Sequence, residues 1–167
     1  MEELISYLLY RRLGNLFVLK MIPAELWDWK PILAMRSVSE LANHLACAPL
    51  CLFEVFRGTV TDESSYKDIE AKNFPGDAQG LVQVYERGLE KLIAYLRQHI
   101  DEAHEENIKG FYQQPYSSLY KEVLHHIGHE WFHLGQLFTY LRQNGVEIDA
   151  MVYYGYRDPD SGSPPNK

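Results

Sequence analysis

The stretch from Leu124 to Gly145, LHHIGHEWFHLGQLFTYLRQNG, constrains the fold of this chain more than any other. Apolar and aromatic residues recur in it, and just before it, at steps of three and four, the spacing of one buried stripe on an α-helix. They are Val123, Ile127, Phe132, Leu134, Leu137, Tyr140 and Leu141. Asn144 and Gly145 follow, a pair that commonly ends helices. The stretch is therefore predicted to form a long helix that buries one face against other helices.

The same helix is rich in histidine. His129 and His133 are four residues apart, so their imidazoles project from one face a single turn apart, where one metal ion can bridge them. Imidazole is neutral near neutral pH and is the commonest metal-binding side chain. His126 lies on nearly the same face and is a candidate further ligand or supporting group. Histidines at this spacing also occur in helices that bind nothing, so a third ligand from elsewhere is needed to strengthen the prediction.

Three further amphipathic helices are predicted upstream, which makes the chain all-α. Ser37 and Glu40 form a capping-box pattern that opens the second helix. A long polar connection, residues 59–76, separates the second helix from the third, and the third is capped by Asp77. The predicted helices cover residues 2–21, 37–58, 77–101 and 117–145, with a break at 110–115 and Ser117 or Ser118 as the last cap. This pattern predicts a four-helix bundle with a long crossover between helices 2 and 3.

The second helix supplies a candidate third ligand. His44 shares one face with Leu41, Leu45 and Leu52, so it is predicted to point into the bundle, where it can meet His129 and His133. On the first helix, Leu9, Leu13 and Leu16 form the predicted buried stripe. Cys47, three residues after His44, has two interpretations: a small buried hydrophobe, like Cys51, or a thiolate ligand.

Length and composition limit the domain organisation and the classes of partner. A length of 167 residues suits one domain, which is predicted to be a bundle over residues 1–150 followed by a tail over residues 151–167. The first part of that tail is aromatic and the rest is predicted to be disordered. A net charge of -7 disfavours nucleic acid and anionic membranes. The opening residues Met1-Glu2-Glu3 lack the positive region of a signal peptide, and the longest apolar run, 45–53, is too short to span a bilayer. A cytoplasmic protein is expected.

Two segments resemble one known family. The segment MRSVSELANHL, residues 35–45, resembles the "mRS-x-x-E-L-x-x-H" signature of the DinB/YfiT-like superfamily of bacterial metal-binding four-helix proteins. The segment HEWFHLGQL, residues 129–137, followed by Leu141-Arg142 and Gly145, resembles that family's "H-x-x-x-H-x-G-Q-L … LR-x-x-G" helix. Members often carry Arg after the last histidine, where this chain has Leu134.

The resemblance implies more than a fold. It implies a homodimer and a divalent ion, zinc or nickel with iron as a further candidate, held by His44, His129 and His133. It also implies a small-molecule substrate, because characterised branches include transferases and isomerases that use low-molecular-weight thiols. The departure at Leu134 leaves the three ligands intact and affects the expectation for the substrate side of the site.

Three imidazoles would leave a coordination position open, the arrangement of a catalytic site. A metal-dependent hydrolase or thiol transferase is expected, in which that position activates water or a thiol. Glu130 is either a group beside the open position or a solvated carboxylate, and Gln136 either orients a ligand or substrate or only packs. Two alternatives remain: a non-catalytic metal- or ligand-binding dimeric bundle, and a zinc peptidase, since residues 129–133 also read H-E-x-x-H.

Overall fold

The computed structural model describes residues 1–108, 117–154 and 156, and over these the chain is all-helical, as predicted. Its helices are α1 (Glu2–Lys20), α2 (Val38–Phe56), α3 (Glu63–Lys72), α4 (Ala78–Gln98), α5 (Leu119–Gln143) and α6 (Ala150–Tyr153). Two 3-10 turns, Ala24–Leu26 and Ile100–Glu102, lie between them. In this part of the chain, extended pairing is limited to one isolated bridge between Ile108 and Ser117. The predicted break at 110–115 falls outside the described residues.

Local capping chemistry sets the ends of the long helices. At the start of α2, the Glu40 amide donates to Ser37 Oγ at 3.1 Å and the Ser37 amide donates to Glu40 Oε2 at 2.7 Å, which confirms the predicted capping box. Ser118, rather than Ser117, caps α5 through the Lys121 amide. Gly145 ends that region with a φ of +79°, a left-handed conformation that glycine adopts without strain.

The polar connection predicted over residues 59–76 contains the ten-residue helix α3. Asp62 and Ser65, which as isolated letters resemble turn residues, form a capping box here, because Asp62 Oδ1 accepts from the Ser65 amide at 2.8 Å. No residue of α3 is fully buried. The helix is therefore held on the surface of the protein, where it packs against α2.

The four long helices share one apolar core. Helix α2 packs against α4 and α5, and α1 packs against the same two helices. Leucines without exposed surface come from all four; they are Leu8, Leu19, Leu45, Leu81, Leu92, Leu96, Leu134, Leu137 and Leu141. Each buried leucine of this kind contributes about 1.5–3 kcal/mol relative to an exposed one. Within the described residues, no helix is both long enough and apolar enough to cross a bilayer.

Two predicted stripe positions are wrong. Leu9 is 42% exposed and Phe132 is 62% exposed, so neither belongs to the core. On α1 the buried face instead includes Arg11 and Asn15 alongside Leu8 and other apolar residues. A pattern built only on apolar residues cannot include buried polar side chains, so it indicated a neighbouring face of the helix.

The aromatic segment after residue 150 packs on α1. Val152 and Tyr153 are buried, and Arg11 Nη1 donates to the Tyr153 carbonyl at 3.1 Å. A β-carbon on Gly14 would lie 2.6 Å from that carbonyl oxygen, so this close approach requires glycine. Residues 157–167, predicted to be disordered, lie outside the described residues.

Candidate metal centre

Three imidazoles from two helices converge on one point. His44 on α2 places its Nε2 3.0 Å from His129 Nε2 and 3.2 Å from His133 Nε2, both on α5. The possible ligand atoms of the three residues all lie within 4.8 Å of one another. Zinc–nitrogen bonds of about 2.0–2.1 Å in tetrahedral geometry place ligand nitrogens roughly 3.3 Å apart. The structure thus brings the three predicted ligands together at the spacing that one divalent ion requires.

Two of the three rings are held at their other nitrogen. His44 Nδ1 contacts the Glu70 carboxylate, and His133 Nδ1 lies 2.8 Å from Gln136 Oε1. Both partners are acceptors, so each Nδ1 carries the hydrogen and each Nε2 presents its lone pair to the shared point. Gln136 thereby contacts a predicted ligand rather than the substrate space. Such outer partners fix both the tautomer and the ring orientation that a metal site needs.

Sequence reasoning missed Glu70. The residue lies on α3, 26 positions from His44, and it reaches the site because Asn43 Nδ2 donates to the Glu70 carbonyl at 3.1 Å. The Tyr66 ring also packs against His44, with centroids 5.4 Å apart. The sequence signal that could have found it is the capping pattern of Asp62 and Ser65, which predicts the start of a helix that contains Glu70.

The environment keeps two of these histidines neutral. Burial, followed by the nearby His44 and His133, lowers the pKa of His129 to about 2. Burial, followed by His44, lowers the pKa of His133 to about 4, although the hydrogen bond that His133 donates to Gln136 acts in the opposite direction. Neutral imidazole is the form that binds metals, so both rings are ready to act as ligands at physiological pH.

A cavity of about 310 Å³ opens beside the three histidines. Ala48, Leu52 and Val55 of α2 give it an apolar wall, whereas its remaining lining is polar or charged. We call His44, His129 and His133 the histidine cluster. The polar lining of the cavity besides this cluster comprises Arg36, Glu63, Tyr66, Lys67, Glu70, Glu122, His125 and His126. A pocket of this size, with an apolar wall and a few polar groups, suits a small organic molecule.

The other candidates lie outside the histidine cluster. His126 lines the cavity but is not part of the three-residue group. Cys47 is fully buried, with its Sγ 3.6 Å from Asn43 Oδ1, and burial raises its pKa to about 12. Among the described residues it does not join the group, which agrees with the interpretation of Cys47 as a small buried hydrophobe.

Glu130 lies in neither of the places considered from the sequence. It is 3% exposed and does not line the cavity; instead Asn15 Nδ2 donates to its Oε2 at 3.0 Å. We call Arg11, Asn15, Tyr85, His126 and Glu130 the buried polar cluster. Asn15 Nδ2 also donates to Tyr85 Oη at 2.6 Å, and the Arg11 guanidinium lies 3.5 Å from the Trp131 ring centroid. Helices α1, α4 and α5 thus share polar groups inside an otherwise apolar core.

Comparison with known proteins gives a consistent result. The sequence model of the DinB family matches residues 1–165. A DinB-like protein from Bacillus cereus is similar in structure, with a TM-score of 0.72 at 15% identity over 89% of this chain and 95% of that one. A putative DinB member from Exiguobacterium sibiricum gives 0.69 at 20% identity, over 90% and 95% of the two chains. A DinB-like protein from Bacillus subtilis gives 0.66 at 20% identity, over 87% and 94%. No curated protein matches the sequence.

Proposed function

The chain belongs to the DinB family, and we propose that it is a metal-dependent enzyme in which His44, His129 and His133 hold one divalent ion. The observation that carries this proposal is the convergence of three Nε2 atoms beside a cavity of about 310 Å³. Three protein ligands leave at least one position on the ion open, as catalytic sites do and closed structural sites do not.

The ion would supply Lewis acidity, which makes a bound water or thiol a stronger acid and a better nucleophile at neutral pH. The chain's own residues do the rest. Glu70 and Gln136 keep two imidazoles in their binding orientation, and the apolar wall formed by Ala48 and Leu52 receives the nonpolar part of a substrate. We therefore propose a hydrolase or a transferase of low-molecular-weight thiols, loaded with zinc or nickel, or with iron.

The position of Glu130 does not support the peptidase alternative. In an H-E-x-x-H peptidase the glutamate activates the attacking water, so its carboxylate must face the substrate space. Here that carboxylate is buried and bonded to Asn15. A purely structural metal site would need no adjoining cavity, so the cavity favours a site that receives a small molecule over one that only holds the ion.

We also infer that the four long helices form a four-helix bundle with α3 on the crossover, and that two copies associate as a homodimer. Support for the dimer comes from exposed apolar side chains, with Leu33 97% exposed and Phe132 62% exposed. Light scattering of the full chain tests this inference, and a monomeric mass at micromolar concentration would contradict it.

Metal content tests the proposed site. Protein made without a histidine tag should contain one divalent ion per chain, and His133→Ala should lose it while its far-UV circular dichroism stays unchanged. His125→Ala is the matched control, since His125 is exposed on the same helix and is not in the histidine cluster, and it should keep the ion. Retention of a full equivalent by His133→Ala would show that the ligand set is wrong.

Activity is tested separately. The metal-loaded protein should transfer one of a panel of small thiols to an electrophile, or hydrolyse a small ester, and it should not cleave casein. Casein cleavage would revive the peptidase alternative. Metal binding without either small-molecule reaction would favour the non-catalytic bundle.

A further inference from the structure

The buried polar cluster meets the cavity at His126. This side chain is only 5% exposed, yet it lines the cavity beside the histidine cluster. Its Nε2 lies 3.3 Å from Glu130 Oε1, which is within ion-pair distance. In the described part of the chain, neither of these two buried atoms has a hydrogen-bond partner of good geometry. A small rotation of either side chain would join them, and burial makes that bond favourable.

Glu130 is held in place from two other helices. Asn15 of α1 donates to its Oε2 at 3.0 Å and also donates to the Tyr85 hydroxyl of α4 at 2.6 Å, which links the three helices. Arg11 of α1 is buried nearby and carries a positive charge. An anchored carboxylate oxygen next to His126 Nε2 favours the tautomer with hydrogen on that nitrogen. In that tautomer Nδ1 is the ring nitrogen that carries the free lone pair.

From this arrangement we propose that His126 is the proton acceptor for a thiol bound in the cavity, and that Glu130 is its positioning residue. The inference rests on the proposed function, because it assigns the proton that the bound nucleophile must lose. The thiol S–H bond breaks, its proton moves to His126 Nδ1, and the electron pair stays on sulfur. The resulting imidazolium donates Nε2–H to Glu130 Oε1, which remains a carboxylate.

His126 differs from the other polar groups around the cavity. A neutral imidazole donates from one ring nitrogen and accepts at the other, whereas the carboxylates nearby only accept and the lysine and arginine only donate. His125 is exposed, whereas His126 is buried against a carboxylate. The charged or titratable groups around His126 belong to two sets. The other ionisable members of the buried polar cluster are Arg11 from α1, Tyr85 from α4 and Glu130 from α5. The groups that line the cavity together with His126 are Arg36, His44, Glu63, Tyr66, Lys67, Glu70, Glu122, His125, His129 and His133.

Counting protons tests this assignment. The full chain is loaded with Co²⁺ and titrated with 2-mercaptoethanol at pH 7 in two buffers that differ in ionisation enthalpy, so that calorimetry gives the protons released per thiol bound. Near-ultraviolet absorbance reports ionisation of the thiol independently. In the wild type we expect close to zero protons released, because His126 keeps the proton. In His126→Gln we expect about one, since the proton must then leave to the buffer.

Two further variants separate positioning from packing. Glu130→Gln keeps the size of the side chain and should raise the number of protons released per thiol toward one. If Glu130 had only a structural role, this number would not change in a variant that still folds. His104→Gln is the control, because His104 is exposed and does not line the cavity, and it should match the wild type. Far-UV circular dichroism checks folding, and the wild-type count remains decisive if a variant does not fold.

Failure of the inference and failure of the proposed function are distinguishable. Release of one proton per thiol by the wild type, or an equal count in the wild type and His126→Gln, would overturn the role of His126. Absence of thiol ionisation in the wild type would overturn it as well. Elemental analysis of the same samples reports the metal site: a protein that binds no Co²⁺ contradicts the proposed function itself.

Discussion

Replacing Glu70 with glutamine should weaken zinc binding at the histidine cluster about tenfold to a hundredfold. The carboxylate contacts His44 Nδ1, and the two side chains are only 16% and 10% exposed, so solvent screens their interaction weakly. A charge-assisted hydrogen bond is roughly twice as strong as a neutral one, and it raises the basicity of the ligand at its other nitrogen. Glutamine preserves the shape and removes the charge.

The expected loss corresponds to about 1.4–2.8 kcal/mol of binding free energy, at about 1.4 kcal/mol per factor of ten. Gln136→Ala removes a neutral acceptor from His133, which contributes a net of about 0.5–1.5 kcal/mol, so its effect should be the smaller of the two. Competition with a chromophoric chelator at pH 7 measures both affinities. The main fold should persist, because Asn43 bonds to the backbone carbonyl of Glu70 and not to its carboxylate.

Glu63→Gln is the matched control for this experiment. Glu63 lies on the same helix and also lines the cavity, but its side chain is 63% exposed and pairs with the exposed Lys67. Exposed ion pairs contribute about 0–1 kcal/mol, so this substitution should leave zinc affinity nearly unchanged. Equal affinities for Glu70→Gln and Glu63→Gln would refute the reasoning, because the contact with His44 would then have no influence on the ion.

Three further predictions concern stability and reactivity. Burial lowers the pKa of His129 to about 2 and that of His133 to about 4, below the ordinary value of about 6.5. The metal-free protein should therefore have its full stability above about pH 6.5 and lose stability as the pH falls toward 4. Denaturant titrations at several pH values should show a shallower loss of stability for His133→Gln. Gly88→Ala should destabilise the protein by about 1–3 kcal/mol in thermal unfolding, because the new β-carbon would lie 2.8 Å from a backbone nitrogen of α2. Gly128→Ala is the control: its β-carbon would have nothing within 4 Å, so the change should be neutral or stabilising by up to about 1 kcal/mol in the same assay. Burial raises the pKa of Cys47 to about 12, so this thiol should react with a thiol reagent only on unfolding, and rapid labelling of the native protein would contradict its burial.

The elements predicted correctly depend on short-range chemistry. Ser37 and Glu40 recognise each other's backbone across three residues, and Ser118 caps α5 in the same way. His129 and His133 share a face because helical geometry alone places them there. His44 was predictable because its neighbours on α2 are apolar, so an inward direction followed from the helix itself.

The misassigned positions depend on which helix faces meet. Leu9 and Phe132 fit an apolar stripe but lie in solvent, while Asn15 fits a polar face but lies in the core. Nothing near Asn15 in the sequence marks Glu130 as its partner, because the two residues are 115 positions apart and come together only when α1 packs on α5.

The sequence by itself determined that this protein is helical, where most of its helices begin and end, and on which helix faces His44, His129 and His133 lie, because each of these properties arises within a few turns of one helix. Only the tertiary structure decided that Glu70 supports His44, that Glu130 faces His126 instead of the cavity, and that the cavity adjoins the histidine cluster. Those relationships join side chains on different helices. They depend on how the helices pack, and packing is a property of the whole chain.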